Sequence, residues 1–394
     1  MRIAHLGDLH LGFRQYHRQT QGGINQREAD VGRAFRAAVD GVLTARPDLV
    51  VIAGDVFHAV RPTNFSIVFA FQQLQRLREG LPGVPVVMIA GNHDTPRSSE
   101  TGSILRLYEE LGVEAAVDEA RRLVFPERDL SVLAVPHAAL FAPERMLLRP
   151  EGGARHQVLV VHGEVEGLFP FDRSSVEYGG ALLDPEVLKR EPWSYVALGH
   201  YHVQHEVAPR IWYCGSLEYV SSNPWGELAD EARHGTRGKG WLLADLERGT
   251  VTRQPVPSAR TVYDAPRIDG ANRTPAELDR LIGDRLAEVP GGLSDAIVRL
   301  VIEDTPRHIV RELDHAALRA AKASALHLQL DFHRPEPGRV VGVGSPGRRQ
   351  TLPELVAEFL GRRPLPDRVP RDRFVALGLE LLQEPDEDVP GEGG

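Results

Sequence analysis

Five times within its first 202 residues the chain runs through a short stretch rich in Val, Ile and Leu and then breaks into metal-ligating residue types: 2–6, 49–53, 84–90, 158–161 and 195–198. Runs of this length without polar alternation read as strands buried on both faces, which a chain achieves only inside a layered α/β structure. Between them, 27–45 carries Val31, Phe35, Ala38, Val39 and Val42 at helical spacing, and 64–79 carries Phe65, Val68, Phe69, Leu74 and Leu77. Strand and helix therefore alternate, and the expected fold class is α/β, with central β-sheets flanked by helices and loops at the strand ends carrying the chemistry.

The residues behind the runs form five clusters in order: Asp8-Leu9-His10, Gly54-Asp55-Val56-Phe57-His58, Gly91-Asn92-His93-Asp94, His162-Gly163 and Gly199-His200-Tyr201-His202. Together they hold enough carboxylate, amide and imidazole donors for two divalent ions. Asp8 and His10 can face one ion if the chain turns as the strand ends. Asp55 has two oxygens with which to bridge two cations, Asn92 offers a neutral amide oxygen, and His162, His200 and His202 offer ring nitrogens. Mixed oxygen and imidazole ligation suits Mn, Fe or Zn better than Ca or Mg, and the lack of cysteine donors argues against a structural zinc site. Two such ions clamp a phosphate ester and activate water. His58 and His93 remain as groups to donate protons or offset charge on the transition state, and Asp94 is placed to orient the His93 ring. His5, His137, His156 and His205 read as structural or exposed.

A length of 394 residues predicts two or three domains, and 42% hydrophobic with 26% charged residues fits a folded globular chain. No apolar stretch approaches the ~18 residues of a membrane span. The one cysteine, Cys214, excludes an intrachain disulfide and reads as a buried apolar residue in a short strand. These features predict a cytoplasmic protein without membrane attachment. A net charge of −9 excludes a uniformly nucleic-acid-coating surface but not a local basic patch. Tyr16-His17-Arg18 and Arg61-Pro62-Thr63-Asn64 are compatible with a phosphate backbone or with plain loop polarity.

The pattern changes near Pro255. Strands are expected at 263–268, 296–302 and 326–332, with helices from Thr274-Pro275 to about 288 and over 307–323. A Pro/Gly/Arg-rich linker over 334–349, a short helix opened by a capping-box pattern at Thr351 and Glu354, a helix over 371–382 and an acidic tail complete the chain. The expected domains are 1–256, 257–334 and 335–394.

The five clusters resemble the calcineurin-like metallophosphoesterase superfamily. Within it the chain is similar to the nuclease subunit of the SbcCD complex, the bacterial counterpart of the archaeal and eukaryotic double-strand-break-repair nucleases. His58, with Gly91-Asn92-His93-Asp94 and Gly199-His200-Tyr201-His202, favours nuclease over generic phosphatase. The resemblance implies a metallophosphoesterase sandwich over 1–256, a small capping domain over 257–334 that positions DNA, and terminal helices that dock on an SbcC-type coiled-coil ATPase of the SMC-like class. It implies one Mn²⁺ on Asp8, His10, Asp55 and His202, a second on Asp55, Asn92, His162 and His200, and His93 as proton donor or transition-state stabiliser with His58 assisting. The activity implied is Mn-dependent double-strand exonuclease and single-strand endonuclease action on DNA in double-strand break repair, by a nucleoid-associated homodimer. The alternative reading is a standalone phosphodiesterase or phosphatase on a non-DNA substrate.

Overall fold

A computed structural model describes residues 1–96, 102–142, 148–168, 180–335, 352–363 and 370–381. All five apolar runs are strands, and the reason they show no alternation is that each is covered twice. Two six-stranded sheets pack face to face. The first runs Thr250–Pro255, Gly240–Asp245, Arg2–Leu6, Leu49–Ala53, Val86–Ile89, Glu114–Ala116; the second runs His205–Ala208, Ile211–Tyr213, Tyr195–Gly199, His156–His162, Leu130–Val135, Arg121–Phe125. Each sheet has a core of four parallel strands and takes antiparallel strands outside it.

Because successive side chains on a strand point to opposite faces, alternate residues divide between layers. Ile3, Val51, Ala53, Val87 and Ile89 meet Val132, Ala134, Val158, Val160 and Ala197 between the sheets. Ala4, Leu6, Val50, Ile52 and Met88 face the helices Gln26–Ala45 and Asn64–Gly80 through Val31, Phe35, Val42, Leu74 and Leu77. The outer face of the second sheet packs Leu133, Leu159, Val161 and Leu198 against Leu188 and Trp193. Cys214 is buried, with its thiol pKa pushed well up by that burial, as an apolar role requires.

Residues 262–332 form a parallel three-stranded sheet in the order Val262–Asp269, Ile297–Glu303, His327–Phe332. A capping box joins Thr274 and Glu277 at the start of the helix Pro275–Ala287. The single helix expected over 307–323 is instead two, Arg307–Arg311 and His315–Ser324, because Asp314 caps the second by accepting from the amides of Ala316 and Ala317. The chain divides into two compact units, Met1–Pro335 and Glu336–Gly394, so the small sheet lies in the same unit as the sandwich.

Within that unit named contacts join the small sheet to the sandwich. Tyr16 stacks on His327 with ring centroids 4.2 Å apart, and Arg18 pairs with Asp295 and donates to the carbonyls of Ala323 (3.0 Å) and Ala325 (3.1 Å). The Tyr16 and Arg18 side chains are thus engaged internally, which plain loop polarity does not describe. Arg260, in the connection between the sheets, donates to buried Asp30 at 3.0 Å. Asp30 also accepts from Arg27 at 3.1 Å. Burial alone raises a carboxyl pKa, but the bonds from Arg260 and the charge of Arg27 hold Asp30 below its ordinary value. Its stabilisation is therefore full above the unfolded-state pKa and is lost as pH falls below about 4. Asp30→Asn is expected to cost about 2 kcal/mol in urea unfolding at pH 7, with the deficit against wild type shrinking below about pH 4.

In the second unit the helices Leu352–Arg362 and Arg371–Leu381 pack against each other, with Leu360 against Gly378 and with Phe359 and Leu377 exposed. The Thr351 cap, the linker beyond Pro335 and the acidic tail lie outside the described residues.

Candidate metal centre

The five clusters meet where the parallel strands of both sheets end. Asp8 follows Arg2–Leu6, Asp55 follows Leu49–Ala53, Asn92 follows Val86–Ile89, His162 ends its own strand, and His200 follows Tyr195–Gly199. Four of these residues hold backbone conformations uncommon for side-chain-bearing residues: Asp8 (φ 48°), His10 (φ 47°), Asp55 (φ 48°) and His200 (φ 106°). Such positions cost of order 1–3 kcal/mol each and persist where the surroundings enforce them. Here hydrogen bonds between the loops do so: Asp8 N–H to Gly54 O at 3.0 Å, His10 N–H to Asp55 O at 2.9 Å, and His200 N–H to the Asp8 carboxylate at 2.9 Å.

The side chains form two adjoining groups. Asp8, His10 and His202 bring ligand atoms within 4.8 Å of one another, as do Asp55, His162 and His200. Asn92 joins the second group, its Oδ1 lying 2.9 Å from His162 Nε2 and 3.1 Å from His200 Nδ1. Asp55 stands between the groups: Oδ1 accepts the amide of His93 at 2.9 Å, while Oδ2 has no well-aligned hydrogen bond among the described residues and lies 3.3 Å from His162 Nε2 and 3.7 Å from His10 Nε2. His10 Nε2 and His202 Nε2 are 3.1 Å apart. Two ligands at right angles on an ion with bonds of about 2.1 Å sit about 3.0 Å apart. A buried carboxylate oxygen without a well-aligned donor, flanked by ring nitrogens at ligand-to-ligand spacing, fits a pair of cations.

The electrostatics have the same cause. Burial raises the Asp8 pKa to about 6, against the pull of His162 and His202. Burial would lower His162, but the charges of Asp55 and Asp8 outweigh it and raise that ring to about 9. Burial would likewise raise Asp55, yet His162 and then His10 hold it well below the usual carboxylate range. The site is built for positive charge between its carboxylates.

Neighbouring groups aim the donors. His162 Nδ1 lies 2.8 Å from the Ala53 carbonyl, which fixes that nitrogen as the donor and presents Nε2 to the centre. A side chain at Gly91 would put Cβ 2.1 Å from Asp55 Oδ1, so only glycine lets the third loop close on Asp55. Asp94 departs from its expected role: its carboxylate accepts the amides of Val56 (3.0 Å), Phe57 (2.9 Å) and Gly91 (3.1 Å) and fastens two loops together, whereas His93 Nδ1 meets the His58 carbonyl at 2.7 Å. His58 and His93 lie beside the paired groups, both half-buried, with His58 Nδ1 3.2 Å from His10 Nδ1. His5 is buried and bonded to Tyr195 OH at 3.0 Å, a structural role.

Two residues of the surround escape sequence reasoning. Glu227, buried in the helix Pro224–Arg233, lies 3.6 Å from His202 Nδ1, and buried Lys239 donates to the His202 carbonyl at 3.0 Å and pairs with Glu227. Lys239 and His202 together offset burial and hold Glu227 at about 2. Nothing in Pro224-Trp225-Gly226-Glu227 marks this; only the fold brings it to His202.

A centre of buried Asp and His side chains with half-buried Asn92, at the strand ends of a two-sheet sandwich, defines a metal-dependent phosphoesterase. Residues 1–204 match the calcineurin-like phosphoesterase family model, just over half of the chain, and the protein belongs to that family. Three curated relatives carry the description DNA double-strand break repair protein Mre11. That of Methanococcus maripaludis is 33% identical over 255 residues, 62% of this chain and 63% of its own length. That of Saccharolobus solfataricus is 26% identical over 255 residues, 63% of this chain and 61% of its own. That of Halobacterium salinarum is 27% identical over 311 residues, 72% of this chain and 75% of its own. The chain thus spans a little under two thirds of the first two of these relatives.

Proposed function

We propose that the protein is a Mn²⁺-dependent DNA nuclease of double-strand break repair, hydrolysing phosphodiester bonds as a double-strand exonuclease and single-strand endonuclease. The observation that carries this is the pairing of a two-group ligand set with two further histidines, His58 and His93, beside it. The relatives described as DNA repair proteins support it.

Asp8, His10, Asp55 and His202 would hold one ion and Asp55, Asn92, His162 and His200 the other. When bound, the cation pair supplies the charge that offsets the phosphate and activates water. The chain's own residues do the rest. His93, its ring held by Nδ1 at the His58 carbonyl, would as imidazolium deliver a proton to the leaving oxygen. His58 stabilises charge on the phosphate from the adjoining position. Asp94 keeps the loops of both histidines in register, and Glu227 holds the His202 ring.

Residues 257–334 act as the capping region that positions DNA, as a domain separate in role from 1–256. The apolar Phe359 and Leu377, exposed on the terminal helix pair, support docking of 335–394 on an SbcC-type coiled-coil ATPase. Phe65, Val68 and Leu107, exposed on the helix Asn64–Gly80 and the short 3₁₀ helix Ile104–Leu111, support a homodimer. Action on DNA would place the enzyme in the cytoplasm, associated with the nucleoid; among the described residues no helix is long and apolar enough to cross a membrane.

End-labelled linear duplex DNA in Mn²⁺, with and without the ATPase, tests the reading. The wild type is expected to shorten the duplex and His93→Asn to do so roughly 10²–10⁴-fold more slowly. Intact duplex alongside ready cleavage of nucleotide monoesters or phosphoproteins would overturn it in favour of a phosphatase.

A further inference from the structure

Beside the paired groups, the imidazoles of His10, His58 and His93 form a trio, and we propose that it is a third cation site, selective for Zn²⁺ over Mn²⁺. One ring nitrogen from each lies within 4.8 Å of the others. The ring centroids are 5.3 Å (His10–His58), 4.9 Å (His10–His93) and 5.1 Å (His58–His93) apart. A zinc–nitrogen bond of about 2.1 Å puts each ring centre about 3.2 Å from the ion, and three rings disposed tetrahedrally then stand about 5.2 Å apart.

The ring nitrogens are suitably divided. His10 directs Nε2 at His202 and Asp55 in the paired group, while its Nδ1 lies 3.2 Å from His58 Nδ1. His93 bonds through Nδ1 to the His58 carbonyl, which selects the tautomer whose lone pair is on Nε2. His58 and His93 are half-buried, less enclosed than His10, which is fully buried.

The donor chemistry separates this site from its neighbours. Both paired groups contain oxygen donors, which accept Mn²⁺. The trio offers three imidazoles and no oxygen, a set that favours Zn²⁺, Cu²⁺ or Ni²⁺ and ranks Mn²⁺ lowest. Entry of the ion displaces to solvent the proton shared by His10 Nδ1 and His58 Nδ1, leaving His10 to bridge two cations. The ion occupies the two histidines that the nuclease reading assigns to the phosphate, so excess Zn²⁺ blocks turnover where excess Mn²⁺ does not.

The count rests on the two-ion reading of the paired groups. The full chain, stripped with chelator and dialysed against Mn²⁺ or Zn²⁺, is expected to retain two Mn²⁺ or three Zn²⁺ by atomic absorption. His58→Asn and His93→Asn should each lower Zn²⁺ from three to two and leave Mn²⁺ at two, the latter also showing that the variant is folded. With Co²⁺, the third equivalent should add the intense visible bands of a four-coordinate ion, absent from both variants. Two Zn²⁺ in the wild type, or three in both variants, overturns the third site while the paired groups stand. Fewer than two Mn²⁺ in the wild type overturns the two-ion reading itself.

Discussion

Asp55→Asn is expected to reduce DNA hydrolysis by at least roughly 10³-fold, about 4 kcal/mol of transition-state stabilisation, and to drop Mn²⁺ content below two per chain. The substitution keeps size and shape, and the amide oxygen can still accept the His93 N–H that Asp55 Oδ1 now takes at 2.9 Å. What it removes is the negative charge on Oδ2, the oxygen that stands between His162 and His10 without a well-aligned hydrogen bond. An NH₂ in that place turns its hydrogens toward the cations. In the metal-free protein the His162 ring, raised to about 9 by the charges of Asp55 and Asp8, also loses its principal counter-charge, which the melt in chelator reads. Turnover, metal content and a thermal melt in chelator together separate loss of the centre from loss of the fold. Wild-type turnover with two ions bound would remove Asp55 from the bridging position.

Lys239→Met is expected to destabilise the first unit by about 3–5 kcal/mol in urea unfolding, more than any surface substitution. Lys239 is buried with its ammonium against Glu227, 3.5 Å from Glu231, and 4.4 Å above the Tyr219 ring. The variant leaves two buried carboxylates without their cation. In the wild type Glu227 is held at about 2 against an ordinary 4.5, so its contribution is full above pH 4.5 and is lost only as pH falls toward 2. Without Lys239 burial dominates and Glu227 titrates upward, so the deficit is already present at neutral pH. Adding Glu227→Gln to the variant should recover part of the loss, since the group left behind is then neutral. Equal stabilities for wild type and Lys239→Met would show that water reaches the pair.

The strands before the five clusters were legible because burial on both faces removes polar alternation, as at Leu49–Ala53 and Tyr195–Gly199. The ligand types were legible because carboxylate, amide and imidazole have few reasons to gather after such strands. The division into two packed sheets was not: nothing local distinguishes a run buried by a helix from one buried by a second sheet. The hairpin Arg121–Phe125 with Leu130–Val135 was overlooked because its first strand is half-exposed and carries two arginines. The break before His315 had a visible signal in Asp314, a residue suited to capping. Asp94 and Glu227 show the limit most plainly. A carboxylate's neighbour in sequence was assigned as its partner in the first case, and its true partner lay 25 residues away in the second.

The pairing of Gly240–Asp245 with Arg2–Leu6 sets a practical boundary on how the protein can be divided. A fragment ending at residue 204, where the family match stops, keeps every donor named in the paired groups. It would nevertheless leave the backbone of Arg2–Leu6 as an open sheet edge, a template for pairing with other chains, and would lack Glu227 and Lys239. Such a fragment is expected to aggregate on production, and the smallest soluble catalytic piece should extend at least through the strand Gly240–Asp245, which covers that edge, and its hairpin partner Thr250–Pro255.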